Sequence, residues 1–403
     1  MVSLHSLRIR ALSTSLAPRL LEGDVVSLTE ALVRLPTVNP ALEAGGGGEA
    51  PAASLCGDLL STWGFGVETH EWAPGRTSLV ARIGGEGPSL ILNGHLDTVG
   101  VEGMTVSPFE PSIREGRLYG RGSCDMKGGV AALLCAARDM ALQGRPRRGE
   151  LLVVLTSDEE HASRGLEALL AEGLRADAAV VCEPTSLQVM PANKGFAWWR
   201  VEFRGRAAHG SRPDQGCDAI RLAGRFLAAL DGVEDRLASA VTHPLLGSGS
   251  IHAGTIRGGT APSVYPDRCE LVLEARLLPG QRPEEMGEWL AALGEEVTRV
   301  DPRGEVTVIP TLRRPPGDLP GTHPLPRALQ AAGQGMGRPL GLAGMSAWVE
   351  AAWFLEAGIP ALCFGPGSIG KAHTADEFVP VEELRAAASI LSRFTRSFLS
   401  NGV

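Results

Sequence analysis

The stretch SLILNGHLDTV, residues 89–99, decides the fold. Its apolar run reads as a buried strand, and the run gives way to a loop carrying His95 and Asp97. The same device recurs along the chain. ELLVVLTSDEE (150–160) ends on Glu159 and Glu160, DAAVVCEP (177–184) ends near Glu183, and GIPALCFGPGS (358–368) leads through a glycine-rich segment to His373. Segments of helical spacing separate these runs, notably GGVAALLCAARDMAL (128–142), opened by Gly128 and Gly129, and RGLEALLAEGL (164–174). This alternation predicts an α/β domain on a mixed, largely parallel sheet.

Working outward, DVVSLTEALVRL (24–35) has helical spacing and is stopped by Pro36. Residues 52–63 form a second amphipathic helix, and VETHEW and LVARIG read as strands. Between the two helices, AGGGGEAP (44–51) lacks the GK[ST] ending of a phosphate loop and reads as a flexible connection. The character changes near Asn193. GFAWWRVEFRGRAAHGS alternates as a half-exposed antiparallel strand should, then a helix (DAIRLAGRFLAAL), two strands, a helix near Glu284–Leu293 and the strand EVTVIPTL follow. A β-α-β-β-α-β order is that of a ferredoxin-like sandwich. RRPPGDLPGTHPLP marks its exit. The expectation is a small domain over 194–313 inserted into a discontinuous one, 1–193 and 314–403, with the two crossings as hinges.

The bulk numbers narrow the function class. A chain of 403 residues is too long for one ordinary core. A net charge of −8 and the absence of Lys/Arg runs exclude a nucleic-acid surface, and no apolar stretch reaches membrane-spanning length. Seven cysteines, odd in number and without CxxC, argue for a reduced, cytoplasmic setting rather than a disulfide framework. The basic leader MVSLHSLRIRALSTSLAPRLL, free of acids until Glu22, resembles a weak transit-like extension.

Acids and imidazoles beyond strand ends can converge in one crevice, because open α/β sheets bind ligands past the carboxyl ends of their strands. His95, Asp125, Glu160, Glu183 and His373 form such a set, and carboxylates with neutral imidazoles are ligands for Zn²⁺-like ions. Asp97, two residues from His95, can orient its ring through the other nitrogen. Asp125 lies in GRGSCDMKGG, where a short side chain on a tight backbone can bridge two cations; the neighbouring Lys127 reads as solvated or structural. Glu159 and Glu160 are adjacent, so one suits a metal and the other a water, as general base. His161, next in line, is not needed once five ligands are in hand.

With GHLDTV, GRGSCDMKGG, TSDEE, CEPT and FGPGS…AHTADEFV in this order, the chain resembles the M20 metallopeptidase and deacylase family over residues 24–395. The resemblance implies a zinc-exopeptidase-like catalytic domain plus an inserted ferredoxin-like dimerisation, or lid, domain. It implies two Zn²⁺ ions, with Co²⁺ as a substitute: His95 and Glu183 on one, Glu160 and His373 on the other, Asp125 bridging through a loop whose Asp125–Met126 peptide is cis. Glu159 becomes the base, and Asp97 orients His95. In the homodimer, His209 in RGRAAHGSRP stabilises the oxyanion in the partner's site. Arg276 matches a substrate-carboxylate arginine, and Gly365 and Ser368 line the pocket. Two departures fall at the usual substrate contacts, Ser263 in SVYPD and Glu350 in WVEAAW.

The implied activity is amide hydrolysis of N-acyl amino acids, in the manner of the acetylornithine deacetylase branch. A dipeptidase or glutamate-type carboxypeptidase of the same family uses the same metals. A catalytically silent metal-binding homologue would lack a ligand or the base, and none is missing. A nucleophile enzyme using Cys124 or Ser123 is disfavoured, because no independent His–Asp pair is left for it.

Overall fold

A computed structural model describes residues 16–142, 148–239 and 242–401. The transit-like reading of the leader falls largely on residues 1–15, outside the described residues. The described residues form two compact units, one from the stretches 16–191, 319–345 and 349–401, the other from 192–318 with 346–348. In chain order the strands of the first part are β1 (Gly66–Ala73), β2 (Arg76–Gly84), β3 (Ser89–His95), β4 (Ser112–Arg114), β5 (Arg117–Tyr119), β6 (Glu150–Thr156), β7 (Ala178–Val181) and β8 (Val189–Asn193). Then come β9 (Gly195–Arg204), β10 (Ser250–Gly258), β11 (Arg268–Leu277), β12 (Glu305–Arg314), β13 (Gly317–Asp318), β14 (Leu342–Met345), β15 (Ala361–Cys363) and β16 (Phe378–Pro380).

The main sheet of the first unit runs β1-β2-β6-β3-β7-β15-β8. Its centre, β6-β3-β7-β15, is parallel, and the flanking pairs are antiparallel. The central strands are apolar because helices cover the sheet. Leu90, Leu92, Leu151, Val153 and Val180 are fully or almost fully buried, and they share a core with Val130, Leu133 and Leu134 of helix Gly128–Leu142 and with Leu384, Leu391 and Phe394 of helix Val381–Asn401. A small sheet, β16-β5-β4, lies off this one.

Helix Val25–Val33 opens on Asp24, whose carboxylate accepts the Ser27 N–H at 2.9 Å, and is buried nearly throughout. The loop expected as a flexible connection, 44–51, is instead tightly placed. A Cβ on Gly46 would stand 2.5 Å from the Val38 carbonyl, and Glu49 at the start of the next helix, Ala50–Thr62, is fully buried. The glycines permit that close backbone approach, a role composition does not reveal.

In the second unit all pairs are antiparallel, in the order β10-β11-β9-β12. With helix Ala219–Ser239 after β9 and helix Pro283–Val300 after β11, this is the 4-1-3-2 arrangement of a ferredoxin-like sandwich. β9 and β11 alternate in burial, and Trp199, Val201 and Phe203 pack on Leu222, Phe226 and Leu290 of the helices. Residues 346–348 join this unit through Trp348, whose ring lies 5.8 Å from the Arg314 guanidinium and donates from Nε1 to the Pro315 carbonyl at 3.1 Å.

Candidate metal centre

The first unit gathers its acids and imidazoles at strand ends. His95 closes β3 and stands beside Thr156, the last residue of the parallel neighbour β6, so that segment 157–160 leaves the sheet next to it. Glu183 follows β7 by two residues, and His373 follows the short turn Ile369–Lys371. Asp125 sits in the turn Ser123–Lys127 that opens the long helix, and its peptide bond to Met126 is cis.

Asp125 is the geometric centre. Its Oδ1 lies 3.1 Å from His95 Nε2 and its Oδ2 3.4 Å from His373 Nε2, so each oxygen faces a different imidazole. Glu160 Oε2 lies 2.9 Å from His373 Nε2. Glu159 Oε2 and Glu183 Oε1 lie 3.9 and 4.0 Å from His95 Nε2. One atom each from His95, Asp125 and Glu160 fall within 4.8 Å of one another. Glu160 Oε1 is buried with no hydrogen-bond partner. A cluster of hard carboxylates with two imidazoles and an orphaned buried oxygen fits divalent cations.

The electrostatics agree. Burial, with Glu183 and Glu160 as like-charged neighbours and His95 opposing them, drives the Glu159 carboxyl well above the usual range. Burial and the Asp125 charge do the same for Glu183 and, less strongly, for Glu160. Burial disfavours charge on His95, yet its hydrogen bond to Asp125 and the charges of Glu159 and Glu183 win and raise its pKa well above that of free imidazole. His373, also opposed by desolvation, is raised to about 11 by Asp125 and Glu160. The centre is thus short of positive charge, and protons stand where cations would.

Behind the cluster lies a scaffold of further acids. The carboxylate of Asp97 accepts the N–H of Glu159 at 3.2 Å and of Glu160 at 3.1 Å, and Asn39 Nδ2 at 2.8 Å. The nearest partner of His95 Nδ1 is the Asp97 main-chain carbonyl at 3.0 Å, with the carboxylate Oδ1 at 3.6 Å. The ring is therefore oriented chiefly by backbone, and the Asp97 side chain chiefly holds the two glutamates. Glu377 cradles the other loop: it accepts the N–H groups of Gly122, Cys124 and Asp125 at 3.1, 2.9 and 3.1 Å and pairs with Arg121 at 2.7 Å. Lys127 is buried rather than solvated; it donates to the Leu35 carbonyl at 2.8 Å, and burial lowers its pKa to about 7. His161 is exposed and turns toward Asp158 at 3.7 Å.

Glu350 stands in the sequence at a usual substrate contact, but it is only 1% exposed. It accepts from Thr156 at 2.6 Å, Ser163 at 2.8 Å and Asn93 at 3.2 Å. Gly365 is buried as well; a Cβ there would stand 2.5 Å from the Cys182 carbonyl and 2.6 Å from that of Glu183, so it lets this strand close on the Glu183 backbone. Ser368 is exposed and caps the turn before His373. In the second unit, His209 pairs with Val264 as an isolated bridge beside the exposed Ser263, whose carbonyl accepts the Gly210 N–H at 2.7 Å. Arg276, on β11, pairs through Nε with Glu274 at 2.7 Å and stacks 5.1 Å from the Phe196 ring.

Residues 91–397 match the description of peptidase family M20/M25/M40. The chain belongs to this family. Acetylornithine deacetylase of Myxococcus xanthus is 35% identical over 370 residues, 84% of this chain and 90% of that protein. In fold, this M20 chain is similar to a tripeptidase from Staphylococcus aureus, with a TM-score of 0.77 at 21% identity over 94% and 98% of the two chains. A dinuclear metal-binding M20 peptidase of Bacillus subtilis matches with a TM-score of 0.72 at 16% identity over 95% and 99%. The protein is a metal-dependent amide hydrolase of the M20 type.

Asn39, Glu49, Arg76, Asp158 and Glu377 support the site without having been singled out in the sequence. Asp158 and Glu377 do lie inside the quoted motifs TSDEE and AHTADEF, which was the available signal. The other three carry none.

Proposed function

We propose that the protein removes the acyl group from N-acyl amino acids, as an acetylornithine deacetylase-like enzyme using two Zn²⁺ ions, with Co²⁺ as a working substitute. The observation that carries this reading is Asp125 with each oxygen facing a different imidazole. We assign His95 and Glu183 to one ion, His373 and Glu160 to the other, and Asp125 to both. When bound, the ions would polarise the amide carbonyl and acidify a water beside it.

Glu159 is left free of metal in this assignment. Its carboxylate takes the proton of the attacking water and returns it to the departing amine nitrogen; its side chain is 10% exposed and stands 3.9 Å from His95 Nε2. Asp97 fixes both glutamates by their N–H groups. His209 from a second copy would complete the oxyanion site. Its Nδ1 accepts the Ser211 N–H at 3.2 Å, which puts the neutral ring's proton on Nε2 as a donor. Arg276 spends Nε on Glu274, and its Nη groups are the donors a substrate carboxylate would take. The second unit serves as dimerisation and lid domain, with Ser263 and Ser368 as substrate-side residues and Gly365 spacing the Glu183 strand. Seven free, buried cysteines support a reducing, cytoplasmic setting.

A panel of N-acyl amino acids and dipeptides, assayed with added metal, tests the substrate class. Turnover of dipeptides alone would replace deacylation with peptidase activity. Glu159→Gln should keep its metals and lose about a thousandfold or more in kcat; retained activity would sink the base assignment.

A further inference from the structure

Behind the Glu159–Glu160 pair lies a buried clamp made of residues outside the ligand set. Asp158 has φ 70°, a left-handed backbone that is uncommon for a residue other than glycine. Its N–H donates to Glu49 Oε1 at 3.1 Å, and its carbonyl accepts the Ala162 N–H at 2.9 Å. Its Oδ1 accepts from Arg76 Nη2 at 2.8 Å and from Asn39 Nδ2 at 3.2 Å. Arg76 is itself held by Glu49, through Nε at 3.0 and 3.1 Å and Nη2 at 2.7 Å, and its guanidinium lies 5.1 Å from the Trp72 ring. Asn39 carries the linkage forward, because the same Nδ2 donates to Asp97 Oδ2 at 2.8 Å, and Asp97 receives the N–H groups of Glu159 and Glu160.

All five members are buried. A buried ion cluster is a weak source of stability, since apolar side chains of equal volume do as well or better. What it supplies here is direction. Two neighbouring glutamates must point to different tasks, so the turn before them has to be fixed in angle and register. A network that grips Asp158 from the rear and the following amides from the front does that.

We propose that Arg76 and Asn39 are positioning residues that set, through Asp158 and Asp97, where the Glu159 carboxylate stands relative to Glu160. This rests on Glu159 being the base. Arg76→Met and Asn39→Ala should each lower kcat by about 10- to 100-fold, as loss of supporting contacts around metal sites does, with KM changed by no more than about twofold. In the Glu159→Gln background neither should lower the residual kcat by more than about twofold, because residues acting through one group are not additive. A loss confined to KM, or the same fold-loss persisting in the Glu159→Gln background, would overturn the proposal. If Arg76→Met does not fold, Asn39→Ala decides, since it leaves the Glu49–Arg76–Asp158 ion pairs in place. Activity retained by Glu159→Gln alone refutes the base reading and is a separate outcome.

Discussion

Loading the metal-free protein with Zn²⁺ at pH 7 should expel about two protons per chain or more. The number follows from the two imidazoles. His95 is raised well above the ordinary histidine value and His373 to about 11, so both rings are cationic at pH 7 without metal. An imidazolium has no lone pair to offer a cation, and each ligand must shed its proton on binding. Glu160 and Glu183, whose pKa values burial also raises, add any proton they still hold. Isothermal titration of Zn²⁺ in buffers of different ionisation heat reads the count from the slope of observed heat against buffer heat. With two protons released, binding of the metal pair strengthens by about 100-fold per pH unit, which a competing chelator can follow. His373→Ala should reduce the release by about one proton. The stability of the metal-free chain carries the same sign. A histidine whose pKa is raised on folding stabilises fully below its unfolded value and loses that contribution as pH rises through the folded value, so for His373 the loss runs from about 6.5 toward about 11. Carboxyls with raised pKa values also disfavour the fold more as pH rises through them. The midpoint of thermal unfolding without metal should therefore fall between pH 7 and 9. A proton release near zero would refute the argument, because it would mean that the imidazoles already stand neutral in the metal-free site.

The remaining expectations concern the scaffold and the assembly. Glu377→Leu removes the carboxylate partner of buried Arg121, leaving it only main-chain carbonyls, and the acceptor of three amide donors around Asp125, and should cost roughly 3–5 kcal/mol in chemical denaturation. Glu350→Ala removes a buried acceptor shared by Thr156, Ser163 and Asn93, of which Thr156 and Asn93 keep a main-chain carbonyl, and should cost about 1–3 kcal/mol by the same measurement. Gly129→Ala would drive a Cβ into the Cys182 carbonyl, one residue before Glu183, and should weaken metal binding in a chelator-competition assay as well as stability. Chelator-treated enzyme should recover with Zn²⁺ or Co²⁺ and be indifferent to thiol alkylation, since every cysteine is buried and free. Sedimentation should show a dimer, and a monomer of full activity would remove His209 from the oxyanion role.

The fold was legible where hydrophobic period and chain punctuation act locally. The apolar runs at 90–92, 151–155 and 178–181 became the central parallel strands, and the glycine pair 128–129 opens the long helix. The convergence was legible for His95, Glu159, Glu160 and Glu183, which close or follow strands of the main sheet, whereas Asp125 reaches the centre from the turn that opens the long helix. What could not be read is what depends on a partner distant in sequence. Glu49 follows a glycine run and looks like a solvated loop acid until Arg76 is seen to reach it. Glu350 looks like a substrate contact until Thr156 and Ser163 are found against it. The Asp97 side chain was paired with His95 because they are two residues apart, whereas its hydrogen bonds go to amides more than sixty residues away. Periodicity reports which face a residue is on, not what crosses to meet it.

The acids of this site separate into two kinds by how many donors the protein gives them. Asp97 takes two main-chain amides and an Asn side chain, Glu377 three amides and an arginine, and Glu350 two hydroxyls and an amide group. Their carboxylate oxygens are occupied by protein donors. Asp125, Glu159, Glu160 and Glu183 receive no main-chain amide on their carboxylates among the described residues; their nearest partners are two imidazoles. Oxygens left without amide donors are open to a cation: the imidazoles beside Asp125 hold its carboxyl low, whereas burial raises Glu159, Glu160 and Glu183. The division explains how one residue type both builds the site and works in it: acids saturated by backbone donors aim the loops, and acids deprived of donors are left open to cations. Removing a donor from the first kind should misplace a loop, whereas adding a donor to the second should compete with metal, so the two classes are predicted to fail in opposite ways.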